Sequence, residues 1–170
     1  MSSRGIIGLM AADPHGLIGK GPHLPWSYPE ELDHFRQTIR GHGIIMGRRT
    51  FDSFPKDLLA YSPAVVFSRN FTSLSPRCTV VESLKAFLAY PLPTDKSWFM
   101  IGGAEIAHLF LEHNLLSEFI LTPIKKEHEG DVFLDLKKLS SWSIQEQRNF
   151  PPYLIQRLSP PPLRKETIHA

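Results

Sequence analysis

The chain has 170 residues, a formal net charge of +2, 42% apolar residues and 21% charged residues. That length suits one domain with a substantial core. The charge is too small to argue for a nucleic-acid partner, yet it leaves room for an anionic small ligand held by a few local cations. A single cysteine, Cys78, rules out an internal disulfide and fits a reducing compartment, and no apolar run reaches the length of a membrane span.

Ile6-Ile7-Gly8-Leu9-Met10-Ala11-Ala12 reads as a buried strand; broken by Asp13-Pro14 and without a cleavage-site pattern, it does not read as a signal peptide. A loop rich in Gly, Pro and His follows over residues 13–26. The spacing predicts a helix over 29–40, with Pro29 at its first position and Glu30 and Glu31 in the first turn, where the helix dipole favours negative charge. Leu32, Phe35 and Ile39 form its apolar stripe, and Gly41 suits its C-terminal cap. Glu31 lies four residues before Phe35 and so borders that stripe. It is either a solvated first-turn acid or a pocket acid, and the helix alone leaves both open.

Gly43-Ile44-Ile45-Met46 is predicted as a second buried strand, closed by Gly47, and Ala64-Val65-Val66-Phe67 as a third. Thr79-Val80-Val81 is short, and residues 83–90 carry a helical pattern with Leu84, Phe87 and Leu88 on one face. Trp98-Phe99-Met100-Ile101 is a further buried strand, ended by Gly102-Gly103, before a helix over 106–111. Phe119-Ile120-Leu121-Thr122 reads as a strand, and residues 142–150 and 153–158 as an antiparallel pair. Continuous apolar strands alternating with helices indicate an α/β domain with a mainly parallel sheet covered on both faces. No repeat or interdomain linker interrupts residues 1–158, and residues 159–170, opening Ser159-Pro160-Pro161-Pro162, read as a flexible tail.

Open parallel sheets bind ligands at the carboxyl ends of their strands. Three polar clusters fall at such ends. Gly47-Arg48-Arg49-Thr50 offers backbone N–H groups and two guanidiniums, with Thr50 as a candidate helix cap; a solvated basic turn would look the same. Ser68-Arg69 suits a phosphate monoester but is only a dipeptide. Gly102-Gly103-Ala104-Glu105 lets a pyrophosphate approach a helix N-terminus, although a helix-packing turn reads the same way and the full G-x-G-x-x-G fingerprint is absent. Together the three point to a long ligand with several phosphates, such as a dinucleotide. No metal is expected, since His108 and His113 are five apart and no cysteine lies near either.

With these blocks in order, the chain resembles dihydrofolate reductase over nearly its whole length. Gly16-Leu17-Ile18-Gly19-Lys20 followed by His23-Leu24-Pro25-Trp26 resembles that family's mobile active-site loop. Ile45-Met46-Gly47-Arg48-Arg49-Thr50 resembles its Met-Gly-Arg-x-Thr turn, Ile101-Gly102-Gly103-Ala104-Glu105-Ile106 its paired-glycine segment, and Glu129-Gly130-Asp131 its late loop.

The resemblance implies one domain with a central, mostly parallel twisted sheet, flanking helices and an antiparallel C-terminal hairpin. It implies hydride transfer from NADPH to carbon 6 of 7,8-dihydrofolate. Glu31 falls on the family's pocket acid, which binds the pterin's amidine edge and stabilises the charge that appears when water protonates nitrogen 5. Trp26 closes the pocket, and Thr122 is expected to hydrogen-bond the acid. Leu9, Ala11, Leu32, Phe35, Phe54 and Leu59 are expected to line the substrate site. The cofactor falls to Ala11, Ile18, Gly19, Leu24, Gly47, Arg48, Arg49, Thr50, Ser68, Arg69, Ile101, Gly102, Gly103, Ala104, Glu105 and Ile106, with a cis peptide expected between Gly102 and Gly103. The family implies a cytoplasmic monomer with no nucleic-acid or membrane partner.

Two positions depart from the family. Its arginine for the folate carboxylate belongs near Ser62, where Lys56 is the nearest cation, and its tyrosine beside the nicotinamide falls on Ala107. Either Lys56 or a more distant arginine takes its place, or the folate tail is bound weakly. These departures keep two further readings open: a reductase of the same fold acting on another pteridine or a flavin-pathway pyrimidine, and a non-catalytic nucleotide-binding protein.

Overall fold

The computed structural model describes residues 5–70 and 76–163. Its elements are β1 (Ile6–Ala12), β2 (Leu17–Gly19), α1 (Pro29–Ile39), β3 (Gly43–Gly47), α2 (Arg48–Ser53), β4 (Ala64–Phe67), β5 (Cys78–Val81), α3 (Leu84–Ala89), β6 (Trp98–Gly102), α4 (Ala104–Glu112), β7 (Leu116–Pro123), β8 (Val132–Phe133), β9 (Ser143–Asn149) and β10 (Leu154–Ser159). Eight strands form one sheet in the order β5-β4-β3-β6-β1-β7-β10-β9. Every pairing from β5 to β7 is parallel, and β7, β10 and β9 close the sheet antiparallel. The expected sheet and C-terminal hairpin are therefore both present.

The strands that read as continuous apolar runs are buried on both faces. Alternate residues go to opposite sides, because side chains in a strand repeat every two residues. Ile45, Val65 and Met100 pack on one side with Phe87 of α3 and Ala107 and Phe110 of α4. Ile44, Met46, Val66, Phe99 and Ile101 pack on the other with Ile39 of α1 and Phe51 of α2. Each such fully buried side chain contributes roughly 2 kcal/mol of apolar transfer. A smaller cluster joins Trp26, Ile124, Tyr153 and Ile155 beside the antiparallel end of the sheet.

Helix α1 starts at Pro29 and runs to Ile39. It is released at Gly41, whose φ of 81° is the left-handed conformation that glycine adopts without steric cost. Ser83 caps α3 by accepting the Ala86 N–H at 3.1 Å.

Three features lay beyond the sequence reading. The two-stranded β2–β8 sheet inside the loops is too short to show an alternation. Single 3-10 turns at Lys56–Ala60 and Leu136–Leu139 carry no periodic stripe. At the C-terminus, β10 continues to Ser159, which pairs with Ser143, so the tail expected to begin at Ser159 begins one residue later. Residues 164–170 of that tail lie outside the described residues.

Gly43 shows how tightly the sheet is filled. A methyl group there would stand 2.3 Å from the Trp98 ring, which is itself fixed by an Nε1–H bond to the Pro93 carbonyl at 2.9 Å. Gly43→Ala is accordingly expected to destabilise the fold by roughly 1–3 kcal/mol through overpacking. Denaturant unfolding measures this, and an unchanged midpoint would show that the ring yields freely.

Candidate active site

The parallel strands β1, β3, β4 and β6 all end at one edge of the sheet, and the polar clusters lie there. Because β6 sits between β1 and β3, the turns after β3 and β6 meet. A Cβ on Gly47 would lie 3.1 Å from Ile106 of α4, and one on Gly103 would lie 3.4 Å from the Thr50 hydroxyl. The N-termini of α2 and α4 thus converge, and neither carries a side-chain cap. Their first N–H groups, with the positive end of each helix dipole, are open to an anion. Ala104, Glu105 and Ile106 form the first turn of α4, directly after a cis Gly102-Gly103 peptide, as expected.

The sequence reading misplaced one residue here. Gly47 occupies the N-cap position of α2 and Thr50 lies inside the helix, so Thr50 is not its cap. The extended backbone of Gly47 lets the chain pass from β3 into α2 with no intervening loop. Arg48 donates from Nε to Asp52 at 2.9 Å, which leaves its outer nitrogens for a ligand, while Arg49 is exposed. Ser68 and Arg69 follow β4 at the same edge, and the Ser68 hydroxyl accepts the Asn70 N–H at 3.2 Å.

The apolar lining assembles on the α1 side. Leu9, Phe35, Phe54 and Leu59 belong to one cluster. Leu32 keeps 38% of its surface exposed, as suits a residue at an open rim, and Ala11 packs beside Trp26.

Glu31 faces inward. It is largely buried, and among the described residues no hydrogen-bond donor or cation lies against its carboxylate. Loss of water with nothing to replace it disfavours the charged form, so its pKa rises to about 7. Its burial sets Glu31 apart from its exposed neighbour Glu30, the solvated acid of the same turn. Burial also raises the pKa of Tyr153, the residue just before β10, and the charges of Glu30 and Glu31 add to the effect. Nearby His34 is held below its usual value by burial and then by Arg148 of β9.

Trp26 is 8% exposed, and its Nε1–H finds no acceptor among the described residues. Thr122, 2% exposed, lies opposite Ala11 in the β1–β7 register. The expected hydrogen bond between Thr122 and Glu31 is not formed, so the Glu31 carboxylate keeps all its acceptor positions for a ligand. Ile18 and Gly19 lie in β2, in the loop between β1 and α1 that also carries Leu24. Leu24 is among the more exposed apolar side chains. That loop is clasped to the late loop: Asp131 accepts the Gly21 N–H at 2.8 Å, and the Asp131 N–H donates to the Gly19 carbonyl at 3.1 Å.

The two departures also have structural form. Ser62 is buried, and its hydroxyl donates to the Ile39 carbonyl at 2.9 Å, tying down the end of α1. The Lys56 ammonium donates to the carbonyls of Phe51 and Phe54 and lies 4.0 Å from the Phe51 ring centroid. Ala107 is fully buried in the core beneath α4.

Comparison with known proteins agrees with this geometry. Residues 5–153 match the family model described as dihydrofolate reductase. The dihydrofolate reductase of Bacillus subtilis (strain 168) is 36% identical over 137 residues, covering 80% of this chain and 79% of that protein. That of Lactococcus lactis is 34% identical over 130 residues, covering 75% and 76%. A solved dihydrofolate reductase from Enterococcus faecalis, complexed with NADP(H) and RAB-propyl, superposes with a TM-score of 0.77 at 22% identity, over 92% of this chain and 96% of that one, and so shares the fold.

The raised pKa of Glu31 makes stability depend on pH. The folded chain holds this proton more tightly than the unfolded one, whose glutamate titrates near 4.5. The contribution is complete below that value, declines as pH rises and is gone above about 7. Glu31→Gln removes the titration. Relative to the native chain, the variant should therefore gain roughly 3 kcal/mol between pH 4 and pH 8. Thermal midpoints of both proteins across that range test this, and a difference that does not vary with pH would contradict it.

Proposed function

The chain belongs to the dihydrofolate reductase family, and from that premise we propose that Glu31 receives the pterin ring while the convergent helix N-termini receive the cofactor. The protein reduces 7,8-dihydrofolate to tetrahydrofolate with NADPH. The observation that carries the residue assignment is the largely buried Glu31 carboxylate without a protein partner. The pterin edge presents two N–H donors side by side, and a carboxylate accepts both in a fork–fork arrangement. A protonated acid would set a donor against a donor, so ring binding favours the ionised form.

Nitrogen 5 takes up a proton, and the nearby carboxylate stabilises the positive charge that develops on the C6=N5 bond. Bound NADPH would supply the hydride that carbon 6 then accepts, which discharges that cation. A water molecule brings the proton, with the unsatisfied Trp26 Nε1–H offered to it. Trp26 also excludes bulk water from the ring. Thr122, buried opposite Ala11, supports the wall on that side.

The uncapped starts of α2 and α4, together with Arg48 and Arg49, fit the cofactor's pyrophosphate. Ser68 and Arg69 at the end of β4 fit its 2′-phosphate, which favours NADPH over NADH. Ile18, Gly19 and Leu24 complete the cofactor side from the loop above the sheet edge.

The far end of the substrate is the atypical part. Lys56 has three donors and gives two to main-chain carbonyls, leaving one for the carboxylate of the folate tail. The catalytic domain runs through Ser159, the last residue of β10, and we place the protein as a monomer in the cytoplasm. Cys78, the single cysteine of the sequence, fits that reducing setting. No helix among the described residues is long and apolar enough to cross a membrane.

Three measurements bear on these assignments. Purified protein should oxidise NADPH when given dihydrofolate. Glu31→Ala should bind NADPH normally yet lose about 10²–10³-fold in kcat/KM. Native-like rates would remove Glu31 from its role, and faster turnover of a different pteridine or a flavin-pathway pyrimidine would reassign the substrate. Lys56→Ala should raise KM for dihydrofolate about tenfold, the scale of one charged hydrogen bond, and leave KM for a tail-less dihydropterin unchanged. Equal shifts for both would assign Lys56 to helix capping alone.

A further inference from the structure

Asp13 is a buried carboxylate outside the proposed chemistry, and it is saturated with hydrogen bonds. It stands directly after β1 and is 2% exposed. Its Oδ1 accepts the N–H groups of His15 and Leu17, both at 2.9 Å, and so shapes the loop between β1 and α1. Its Oδ2 turns the other way and accepts the His128 N–H at 3.0 Å, across 115 positions of sequence. Burial pushes its pKa up, but the three backbone donors and nearby His15 outweigh that and hold it below the usual carboxylate value.

His128 continues the connection through its ring. Its Nε2 lies 3.2 Å from the Tyr28 hydroxyl, and its ring centroid lies 5.6 Å from that of Trp26. Tyr28 is the N-cap residue of α1, and it makes no side-chain cap hydrogen bond there. Glu31 follows three residues later. The end of β1, the late loop, the Trp26 lid and the start of the helix that carries the acid are therefore joined by one set of contacts.

We propose that Asp13 is a positioning residue that, by holding His128, fixes Trp26 and the first turn of α1 around Glu31. The proposal rests on the role given to Glu31 above. Asp13 itself touches neither substrate nor cofactor. The ionisable groups around the junction are Tyr28, Tyr153 just before β10, His15 paired with Glu127 at 2.8 Å, Glu30, and Arg148 on β9. None supplies a second acceptor for the His128 N–H, so the Asp13 bond has no substitute among the described residues.

Asp13→Asn separates the two halves of this hub. The amide oxygen can still accept the His15 and Leu17 N–H groups, whereas the new NH₂ faces the His128 N–H, donor against donor. The reverse orientation would lose two bonds instead of one. The variant therefore cuts the link between loops and preserves the turn.

The test is a carbon-13 carboxylate titration of Glu31 in the ligand-free protein, combined with steady-state kinetics. In Asp13→Asn the first turn of α1 loosens and water reaches the acid. The Glu31 midpoint should fall by about one pH unit toward its ordinary value. kcat with dihydrofolate should drop about tenfold, with KM for NADPH unchanged. His128→Ala should reproduce both effects, and the double variant should be no worse than the more severe single one, since both remove the same connection. A folded Asp13→Asn whose Glu31 midpoint stays in place overturns the proposal. If that variant does not fold, the titration in His128→Ala decides in the same way. Glu31→Ala kinetics report on the underlying role separately: full activity there removes that role, whereas loss of activity with an unmoved midpoint in Asp13→Asn removes only this inference.

Discussion

Because β6 is hydrogen-bonded between β1 and β3, strand ends that are far apart in sequence emerge side by side. Ala12 leads into the loop that carries Trp26, Gly47 opens α2, and Gly102 opens the turn into α4. No short-range feature could assemble these three. The insertion also explains why two of the turns are built from glycine. Where the N-termini of α2 and α4 meet, a Cβ on Gly47 would crowd Ile106, while one on Gly103 would come into contact with Thr50. The parallel register thus creates the crowding and the anion-attracting edge together.

Two largely buried carboxylates at this edge illustrate how partners decide protonation. Asp13 is the more completely enclosed, yet three backbone donors keep it ionised. Glu31 has lost its water without receiving a donor, and its pKa moves the opposite way. Burial penalises the charge at both sites, and the backbone donors, helped by His15, distinguish them. Asp13 is therefore committed to the architecture, while Glu31 is left in need of a ligand that brings its own donors. Separation of this kind between two acids of the same site gives each a distinct task.

The parts of the fold legible in the sequence are those with a strong period or a marked boundary. Ile44-Ile45-Met46 and Val65-Val66-Phe67 announce buried strands because parallel strands need apolar side chains on both faces. Pro29 and Gly41 bracket α1 for reasons local to the backbone. Spacing places Glu31 beside the apolar stripe, but its lack of a partner is not legible there, since that depends on which distant groups, Tyr153 among them, come near it. Thr50 was read as a cap because its side chain suits the task, while the entry into α2 was set by the extended backbone of Gly47. Lys56 was read by charge alone, and its bonds to the Phe51 and Phe54 carbonyls depend on a 3-10 turn with no sequence signature. Asp13 before Pro14 could have suggested a turn acid. Nothing local could have paired it with His128.

The start of α1 has a consequence for motion. Pro29 brings no N–H, and Tyr28 contributes no capping bond, so little within the helix itself secures its first turn. Leu32 and its neighbours on the outer face remain exposed, whereas Ile39 at the far end is locked into the core. Local unfolding begins where buried apolar contacts are fewest. The order of the turn that carries Glu31 therefore rests on the Tyr28–His128 contact outside the helix, whereas the end of α1 rests on the core. The pocket acid is held by a single junction at one end of an otherwise anchored helix, so a change at that junction can reach the acid without disturbing the sheet.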